Sequence, residues 1–330
     1  MKPIPRKRRK YAFRLLAISL LLASLPAFPQ AYPVKPVRII VPFAPAGAAD
    51  TVARAAGNRI GELLGQPVII ENRPGALATI GSDIVAKAAP DGYTLLIAVS
   101  PPHTTTPFFV RNPPFDSLHD FTPIAIIGTF PQAITVHPSV PANSLKELID
   151  YVKKNPGKVA FGTSGVGTAQ HLGGLQLNQA TGMDMLHIGY KGGAPAVQDH
   201  VGGQVPVAIL TLSNVINHVR AGRLRFIAML EGQRAKGAPE VPTVAEAGVP
   251  GFATPDTWIG LIGPARLPAP LVRQLGAVIA RTLESPDVRA RLEGAGFEIG
   301  AASQETFADS IARGFRVYQQ IVNDAGIKPE

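Results

Sequence analysis

A glycine-rich run at residues 162–171, GTSGVGTAQH, concentrates the groups of this chain best suited to binding a small polar molecule. It follows a strand-like apolar segment and opens a helical pattern, so its amides lie at a helix N-terminus. Glycine permits tight turns and close backbone approach. Unpaired first-turn amides and the helix dipole favour an anion. The run therefore predicts an anion-binding loop.

The run does not match three better-defined motifs. A phosphate-binding P-loop requires Gly-Lys-Ser/Thr, which the chain does not contain. The dinucleotide fingerprint requires another glycine spacing, and a hydrolase elbow around Ser164 requires glycine where Val166 stands. We therefore expect Ser164 to form hydrogen bonds rather than to act as a nucleophile.

A second loop of the same design spans residues 42–50, PFAPAGAAD. Its small side chains leave the amides of Gly47, Ala48 and Ala49 accessible. Asp50 falls in the first helical turn, where the dipole favours a carboxylate, and a structural role is expected for it. Two such loops, one in each half of the chain, predict a small anion held between two helix N-termini, and a dicarboxylate fits both.

No catalytic or metal centre is predicted. The seven histidines form neither His-x-x-x-His nor His-Glu-x-x-His, and cysteine is absent. No cofactor is expected. His171 is expected to support the glycine-rich loop through a hydrogen bond. For Trp258, packing against a ligand and packing in the core both remain open.

The formal net charge of +9 is concentrated at the N-terminus. Residues 1–31 hold seven Lys and Arg and no acid, and subtracting these seven leaves +2 for the rest. A basic start, the apolar run 15–25 and a small-residue stretch predict a signal peptide cleaved near 27 or 31. The chain is therefore expected outside the cytoplasm, by the general secretory or the twin-arginine route. The near-balanced remainder argues against nucleic acid as a partner.

Short β-branched runs alternate with segments of helical period, which predicts α/β architecture with mostly parallel sheets flanked by helices. The loops carrying the two candidate sites each join a strand to a helix. No Gly/Ser linker separates the halves, so two lobes joined by crossing strands are expected. Three helices end the chain.

Several motifs together resemble the Bug family of periplasmic solute-binding receptors, similar to the tricarboxylate-binding component of tripartite tricarboxylate transporters. The resemblance spans the whole mature chain. It rests on YPVKPVRIIVPF at 32–43, ENRPGA at 71–76, APDGYTLL at 89–96, GVGTAQH at 165–171, YKGGAPA at 190–196, GQV at 203–205 and VPTVAEAG at 241–248.

The resemblance implies a type II periplasmic-binding-protein fold with a ligand cleft between lobes that close on binding. Lobe 1 would comprise 32–130 and 256–330, and lobe 2 would comprise 131–255. A periplasmic monomer is expected, which binds a small carboxylate and delivers it to the permease subunits of such a transporter. The candidate ligand-binding residues are Phe43, Ala46, Gly47, Ala48, Ser100, Thr163, Ser164, Gly167, Thr168 and Thr211.

Two departures from the family pattern bear on the ligand. Ala46-Gly47 stands where the family usually has Gly-Gly, which would alter ligand position or bound water. Leu210 and Thr211 stand where many members have Asp or Asn for a ligand amino group. Because an unpaired buried charge is costly, a ligand without an amino group is expected, either a di- or tricarboxylate or an aromatic acid.

Two alternatives remain at the level of sequence. One is a secreted hydrolase or transferase built on the same two lobes, which would need a nucleophile with an adjacent base or a metal cluster. The other is a receptor that feeds a sensor kinase rather than a permease.

Overall fold

The computed structural model describes residues 32–45, 47–100 and 102–329. The chain from Lys35 onward forms one compact unit, and residues 32–34 belong to a separate N-terminal unit. The predicted signal segment and Ala46 lie outside the described residues. Within the described ranges, no helix is long and apolar enough to cross a bilayer.

Strands and helices alternate along most of the chain, as predicted. The strands are β1 (Val37–Val41), β2 (Val68–Asn72), β3 (Thr94–Val99), β4 (Phe121–Thr129), β5 (Gln132–Val136), β6 (Ala160–Thr163), β7 (Leu186–Gly189), β8 (Val207–Thr211), β9 (Arg225–Met229), β10 (Trp258–Pro264) and β11 (Glu298–Ala302). The helices are α1 (Ala48–Leu64), α2 (Thr79–Ala86), α3 (Pro102–Phe109), α4 (Leu145–Lys154), α5 (Ala169–Thr181), α6 (Gly193–Val201), α7 (Leu212–Arg220), α8 (Ala269–Leu283), α9 (Pro286–Gly294) and α10 (Gln304–Asp324).

Two sheets divide the strands. The first has the order β11-β4-β10-β3-β1-β2, and the second has the order β7-β6-β8-β5-β9. In the first, β1 is parallel to β2 and β3, while β10 is antiparallel to β3 and β4, and β11 to β4. In the second, β6 is parallel to β7 and β8, while β5 is antiparallel to β8 and β9.

The two-lobe α/β fold is thus confirmed, but the sheets are mixed rather than mostly parallel. The chain passes from the first sheet to the second at Phe130 and Pro131, and returns through residues 230–257. The strand that follows each passage, β5 or β10, enters its new sheet against the direction of its neighbours. The two crossing segments meet where the Phe130 N–H donates to the Thr257 carbonyl at 3.0 Å.

Both faces of the second sheet are covered. Along β8, Val207 and Ile209 join one buried cluster, whereas Ala208 and Leu210 join the cluster on the opposite face. Successive side chains of a strand point to opposite faces, which is why β8 is apolar without alternation. Helix α5 lies so close to β6 that a methyl group at Gly174 would overlap the Phe161 ring. This contact packs the middle of the helix directly against the strand.

The first sheet has a comparable core. Trp258 is 1% exposed and packs edge-on against Phe307, with ring centroids 4.8 Å apart. Of the two roles open for Trp258, the core role is the one found. Burial of such aromatic side chains is a principal source of fold stability.

Capping residues mark several helix ends. Gly65 ends α1 in the left-handed conformation. The Ser144 hydroxyl accepts the Glu147 N–H at the start of α4, and the Ser303 hydroxyl accepts the Thr306 N–H at the start of α10. The carboxylate of Glu147 accepts the Asn143 N–H, which lies one residue before the N-cap N–H that a capping box would engage.

Candidate functional site

A cavity of about 890 Å³ lies between the two sheets, where loops after β1, β3, β6, β7 and β8 meet both crossing segments. In open α/β sheets, ligands bind beyond the carboxyl ends of the strands. Its described lining includes Phe43, Gly47, Ala48, Ser100, Phe130, Gln132, Ser164, Thr168, Gln170, Lys191, Gly192, Gly193, Thr211, Asn214, Thr257 and Phe297. Seven of the ten predicted residues are among them: Phe43, Gly47, Ala48, Ser100, Ser164, Thr168 and Thr211.

The loop after β1 brings the start of α1 to this cavity. Gly47 is the N-cap of α1, and no side chain caps the helix there. Asn72 holds the loop through a 3.1 Å bond from its Nδ2 to the Phe43 carbonyl. The same Nδ2 donates to the buried Asp50, which also receives the Arg54 guanidinium at 2.9 Å. Asp50 therefore has the expected structural role, and the first-turn amides remain without a side-chain cap.

More polar groups of the glycine-rich loop are hydrogen-bonded within the protein than the sequence suggests. Both the N–H and the hydroxyl of Ser164 donate to Gln170 Oε1, at 2.7 and 2.6 Å. The Thr168 hydroxyl accepts the His171 N–H at 3.3 Å and donates to the Gly165 carbonyl at 2.7 Å. Hydrogen bonds within the loop thus hold its shape, and the Thr168 side chain already caps the start of α5.

Two predicted residues lie behind the loop rather than at the cavity. Thr163 is fully buried, and its hydroxyl bonds His187 Nε2 at 2.7 Å. The Gly167 N–H donates to His171 Nδ1 at 3.2 Å, and the Phe109 ring lies against Gly167. Both residues shape the loop, and their polar groups are directed into the protein.

A stacked histidine pair supports the loop from behind. The rings of His171 and His187 lie 4.0 Å apart between centroids. Burial lowers the pKa of each to about 4, so both are neutral near pH 7. Neutral His171 can accept the Gly167 N–H at Nδ1, which confirms the expected supporting role.

A third helix start also lines the cavity; sequence reasoning predicts the helix but does not place its start in the site. Helix α6 has Gly192 as its N-cap, with φ 118° and no side-chain cap. The positive φ suits glycine, and it turns the chain so that Gly193 and Ala194 border the cavity. The signal was the pair of glycines two residues before Pro195, because proline is favoured in the first helical turn.

Glutamine side chains join the loop to the crossing segments. Gln170 Nε2 donates to Gln132 Oε1 at 2.8 Å, and the Thr211 hydroxyl donates to the same oxygen at 3.4 Å. The Gln132 N–H in turn donates to both carboxyl oxygens of Glu231 at 3.0 Å. Sequence reasoning placed Thr211 in the site but neither glutamine.

Among the described residues lining the cavity, Lys191 alone carries a charged side chain. It makes no ion pair with any described residue. An adjoining cavity of about 750 Å³ contrasts with this, because Glu293 and Glu298 accompany its basic side chains. The larger cavity thus combines three helix starts without side-chain caps, at Gly47, Gly192 and Thr211, with one cation. Its charge complements an anion.

Two α/β lobes around such a cleft are the architecture of periplasmic solute-binding proteins. The model of the tripartite tricarboxylate transporter family receptor matches residues 52–327. The chain therefore belongs to this family of periplasmic receptors. It is a solute-binding receptor and not an enzyme, because the family and its solved members are periplasmic binding proteins.

Relatives and solved structures agree with this assignment. Protein BugT of Bordetella pertussis is 34% identical over 304 residues, which cover 92% of this chain and 93% of BugT. A protein of R. palustris solved with adipate is 31% identical, with TM-score 0.78, and covers 91% of this chain and 100% of its own. MatC from Rhodopseudomonas palustris, solved with malate, is 31% identical, with TM-score 0.74. The match covers 88% of this chain and 100% of MatC.

Proposed function

We propose that this receptor captures a small carboxylate without an amino group, by closure of its lobes, and delivers it to the permease of a tripartite tricarboxylate-type transporter. The observation that carries the proposal is the cleft itself, with helix starts from both lobes, Lys191 as its charged side chain and no acid in its described lining. The carboxylates bound by the two similar structures support it. The family description supports the transporter as partner.

The described lining of the cleft contains no carboxylate to pair with a ligand ammonium group, which narrows the ligand class. Leu210 is fully buried in the core beneath the cleft. Thr211 donates its hydroxyl to Gln132. Neither position offers a carboxylate, so a ligand ammonium would be desolvated beside Lys191 without a counter-ion. Di- and tricarboxylates and aromatic acids remain, and the Phe43, Phe130 and Phe297 rings suit their apolar parts.

Calorimetry on the unliganded protein tests this ligand class. We expect binding of at least one among adipate, malate, citrate and benzoate, and weaker binding of aspartate and glutamate than of the best amine-free acid. Malate and aspartate differ at one substituent and form a matched pair. Tightest binding of either amino acid would contradict the proposal.

Removal of the single cationic side chain is expected to weaken binding modestly. Lys191→Met should raise the Kd of the best acid by about fivefold or less, because an exposed ion pair contributes roughly 0 to 1 kcal/mol. Most of the affinity would come from the amides. Lys158→Met, at an exposed lysine outside the cleft, is the matched control and should leave Kd unchanged. A loss of a hundredfold or more at Lys191 would show that the side chain, and not the helix starts, holds the anion.

We further propose lobe boundaries at 130/131 and 255/256, a monomer, and export through the N-terminal signal with cleavage near 27 or 31. The change of sheet at Phe130 and again before Trp258 supports the boundaries. N-terminal sequencing of the exported protein tests the cleavage site, and the molar mass in solution tests the monomer.

A further inference from the structure

Two buried hydroxyl groups on the floor of the cleft have no hydrogen-bond partner among the described residues. Ser100 is fully buried and Thr257 is 2% exposed, and both line the 890 Å³ cavity. Neither Ser100 Oγ nor Thr257 Oγ1 makes a hydrogen bond. The Tyr318 hydroxyl lies within reach of the Ser100 hydroxyl, although neither group makes a hydrogen bond of good geometry.

The backbone fixes both hydroxyl-bearing residues. Ser100 follows β3, and its N–H donates to the Trp258 carbonyl at 3.0 Å across the antiparallel pair of β3 with β10. Thr257 immediately precedes β10, and its carbonyl accepts the Phe130 N–H. Both residues therefore lie side by side at the base of the cleft, at the point where the chain crosses between lobes.

Buried polar groups in native proteins almost always have a partner, and an unpaired one needs an explanation. The neighbouring hydroxyls of Thr163, Thr168 and Thr211 are all bonded. Unpaired hydroxyls at a cavity floor indicate that their partner belongs to whatever fills the cavity. A hydroxyl group donates one hydrogen bond and can accept up to two, so it suits a ligand hydroxyl or a further carboxylate oxygen.

We propose that Ser100 and Thr257 form a floor subsite for a third oxygen function, located between the two carboxylates of the ligand. This inference rests on the proposed function and deepens it: the ligand class becomes hydroxy-dicarboxylates and hydroxy-tricarboxylates rather than unsubstituted diacids. The helix starts bind the carboxylates at the two ends of the ligand. Ser100 and Thr257 select ligands that carry an oxygen function between these carboxylates.

Pairs of acids that differ by one hydroxyl test the subsite: malate against succinate, and citrate against tricarballylate. With the wild-type protein, we expect the hydroxy acid of at least one pair to bind about tenfold tighter, the size expected for hydrogen bonds that pair buried groups. Ser100→Ala and Thr257→Val should each reduce this ratio towards one, while the Kd of the unsubstituted acid changes little.

Ser117→Ala supplies a matched control. Ser117 is 3% exposed and its hydroxyl is also unpaired, but it does not line the cavity. It should lose comparable packing while the ratio stays at its wild-type value. Thr257 also borders a cavity of about 200 Å³ beside Glu231. The two test variants are therefore made singly, so that an effect of Thr257→Val through this second cavity can be separated from the effect of Ser100→Ala.

The outcomes separate the two proposals. If none of the four acids binds, and no other carboxylate does, the proposed function fails. Equal affinities within both pairs on the wild-type protein overturn the subsite alone, and this comparison needs no variant to fold. A wild-type ratio that persists in both Ser100→Ala and Thr257→Val also overturns it.

Discussion

Gly47→Asp is expected to raise the Kd for carboxylates by about 100-fold or more, because like charges placed together cost several kcal/mol. The N-cap position of α1 has φ −76° and an extended ψ, which an aspartate side chain adopts without strain. The new carboxylate would bond the first-turn amides that we assign to the ligand. It would therefore occupy the amides that bind the ligand and also repel the ligand's carboxylate.

The same substitution should not destabilise the protein. Aspartate is among the best N-cap residues, and replacing glycine with it stabilises a helix by roughly a few tenths of a kcal/mol. A Cβ at Gly47 meets the Ala44 carbonyl oxygen at 3.3 Å, a small adjustment for the loop. Loss of binding with an unchanged or higher melting temperature would thus identify the start of α1 as part of the anion site.

Gly47→Asn is the matched control, since it has the same shape and capping ability without the charge. We expect an intermediate loss of affinity, from occupation of the amides alone. Calorimetry with the best acid and thermal unfolding of all three proteins provide the readouts. Unchanged affinity in Gly47→Asp would remove α1 from the binding site.

The second large effect is expected at Glu231, whose carboxyl group lies where the crossing segments meet. It is 6% exposed and accepts the Gln132 N–H at both oxygens. Its pKa is raised to about 8, chiefly by burial and in part by the charges of Asp256 and Glu298, against the hydrogen bonds from the Gln132 N–H and from its own N–H, which lower it. The phenol of Tyr318 also faces it. The folded protein therefore keeps a proton that the unfolded chain releases near its ordinary pKa of 4.5.

The direction of the pH dependence follows. Below pH 4.5 Glu231 is protonated in both states, so it imposes no penalty on folding. As the pH rises to about 8, only the unfolded chain loses the proton, and this residue's share of stability is progressively lost. Above that range both states are ionised and the penalty is greatest. One pKa unit corresponds to about 1.4 kcal/mol, so the full effect is a few kcal/mol.

Glu231→Gln should remove that dependence and raise the free energy of unfolding at pH 8.5 by a few kcal/mol. The glutamine oxygen can still accept the Gln132 N–H. Denaturant unfolding between pH 4.5 and 9 measures it. Glu246→Gln serves as the control: its carboxylate accepts the Thr243 N–H and pairs with Arg234, which lowers its pKa. That variant should be slightly destabilised instead. Destabilisation of Glu231→Gln at pH 8.5 would contradict the prediction.

Local patterns predicted most of the fold because the relevant interactions are short in sequence. The serine caps of α4 and α10, the glycine that ends α1 and the apolar strands could each be identified within a few residues. Helix α3 could not, since its sequence PHTTTPFF contains poor helix formers. It is held by tertiary packing instead, including the contact between the Phe108 and Phe315 rings, whose centroids lie 4.9 Å apart.

Strand β11 illustrates the same limit. Its sequence EIGAA shows no alternation of apolar and polar residues, and it forms the edge of the first sheet. It pairs with β4, which lies more than 160 residues earlier in the chain. Only the assembled sheet makes this segment a strand.

The residues of the candidate site also fall into those predictable from local sequence and those set by tertiary packing. Phe43, Gly47 and Ser164 could be placed at the cleft because a strand-to-helix loop brings its own amides together. The Gln170 to Gln132 bond joins residues 38 positions apart, and the unpaired state of Thr257 depends on everything packed around it. Whether a loop's polar groups face a ligand or satisfy one another, as at Thr163 and Gly167, is likewise decided by tertiary packing.

The predominance of peptide amides over charged side chains in the cleft affects how the receptor responds to salt. Exposed ion pairs weaken as dissolved ions screen them, with a Debye length of about 10 Å at 0.1 M. Amides at the starts of helices, enclosed between two lobes, are screened far less. With Lys191 as the charged group of its described lining, carboxylate capture should change little between dilute and concentrated media. That property suits a periplasmic protein, whose surroundings the cell does not buffer as it does its cytoplasm.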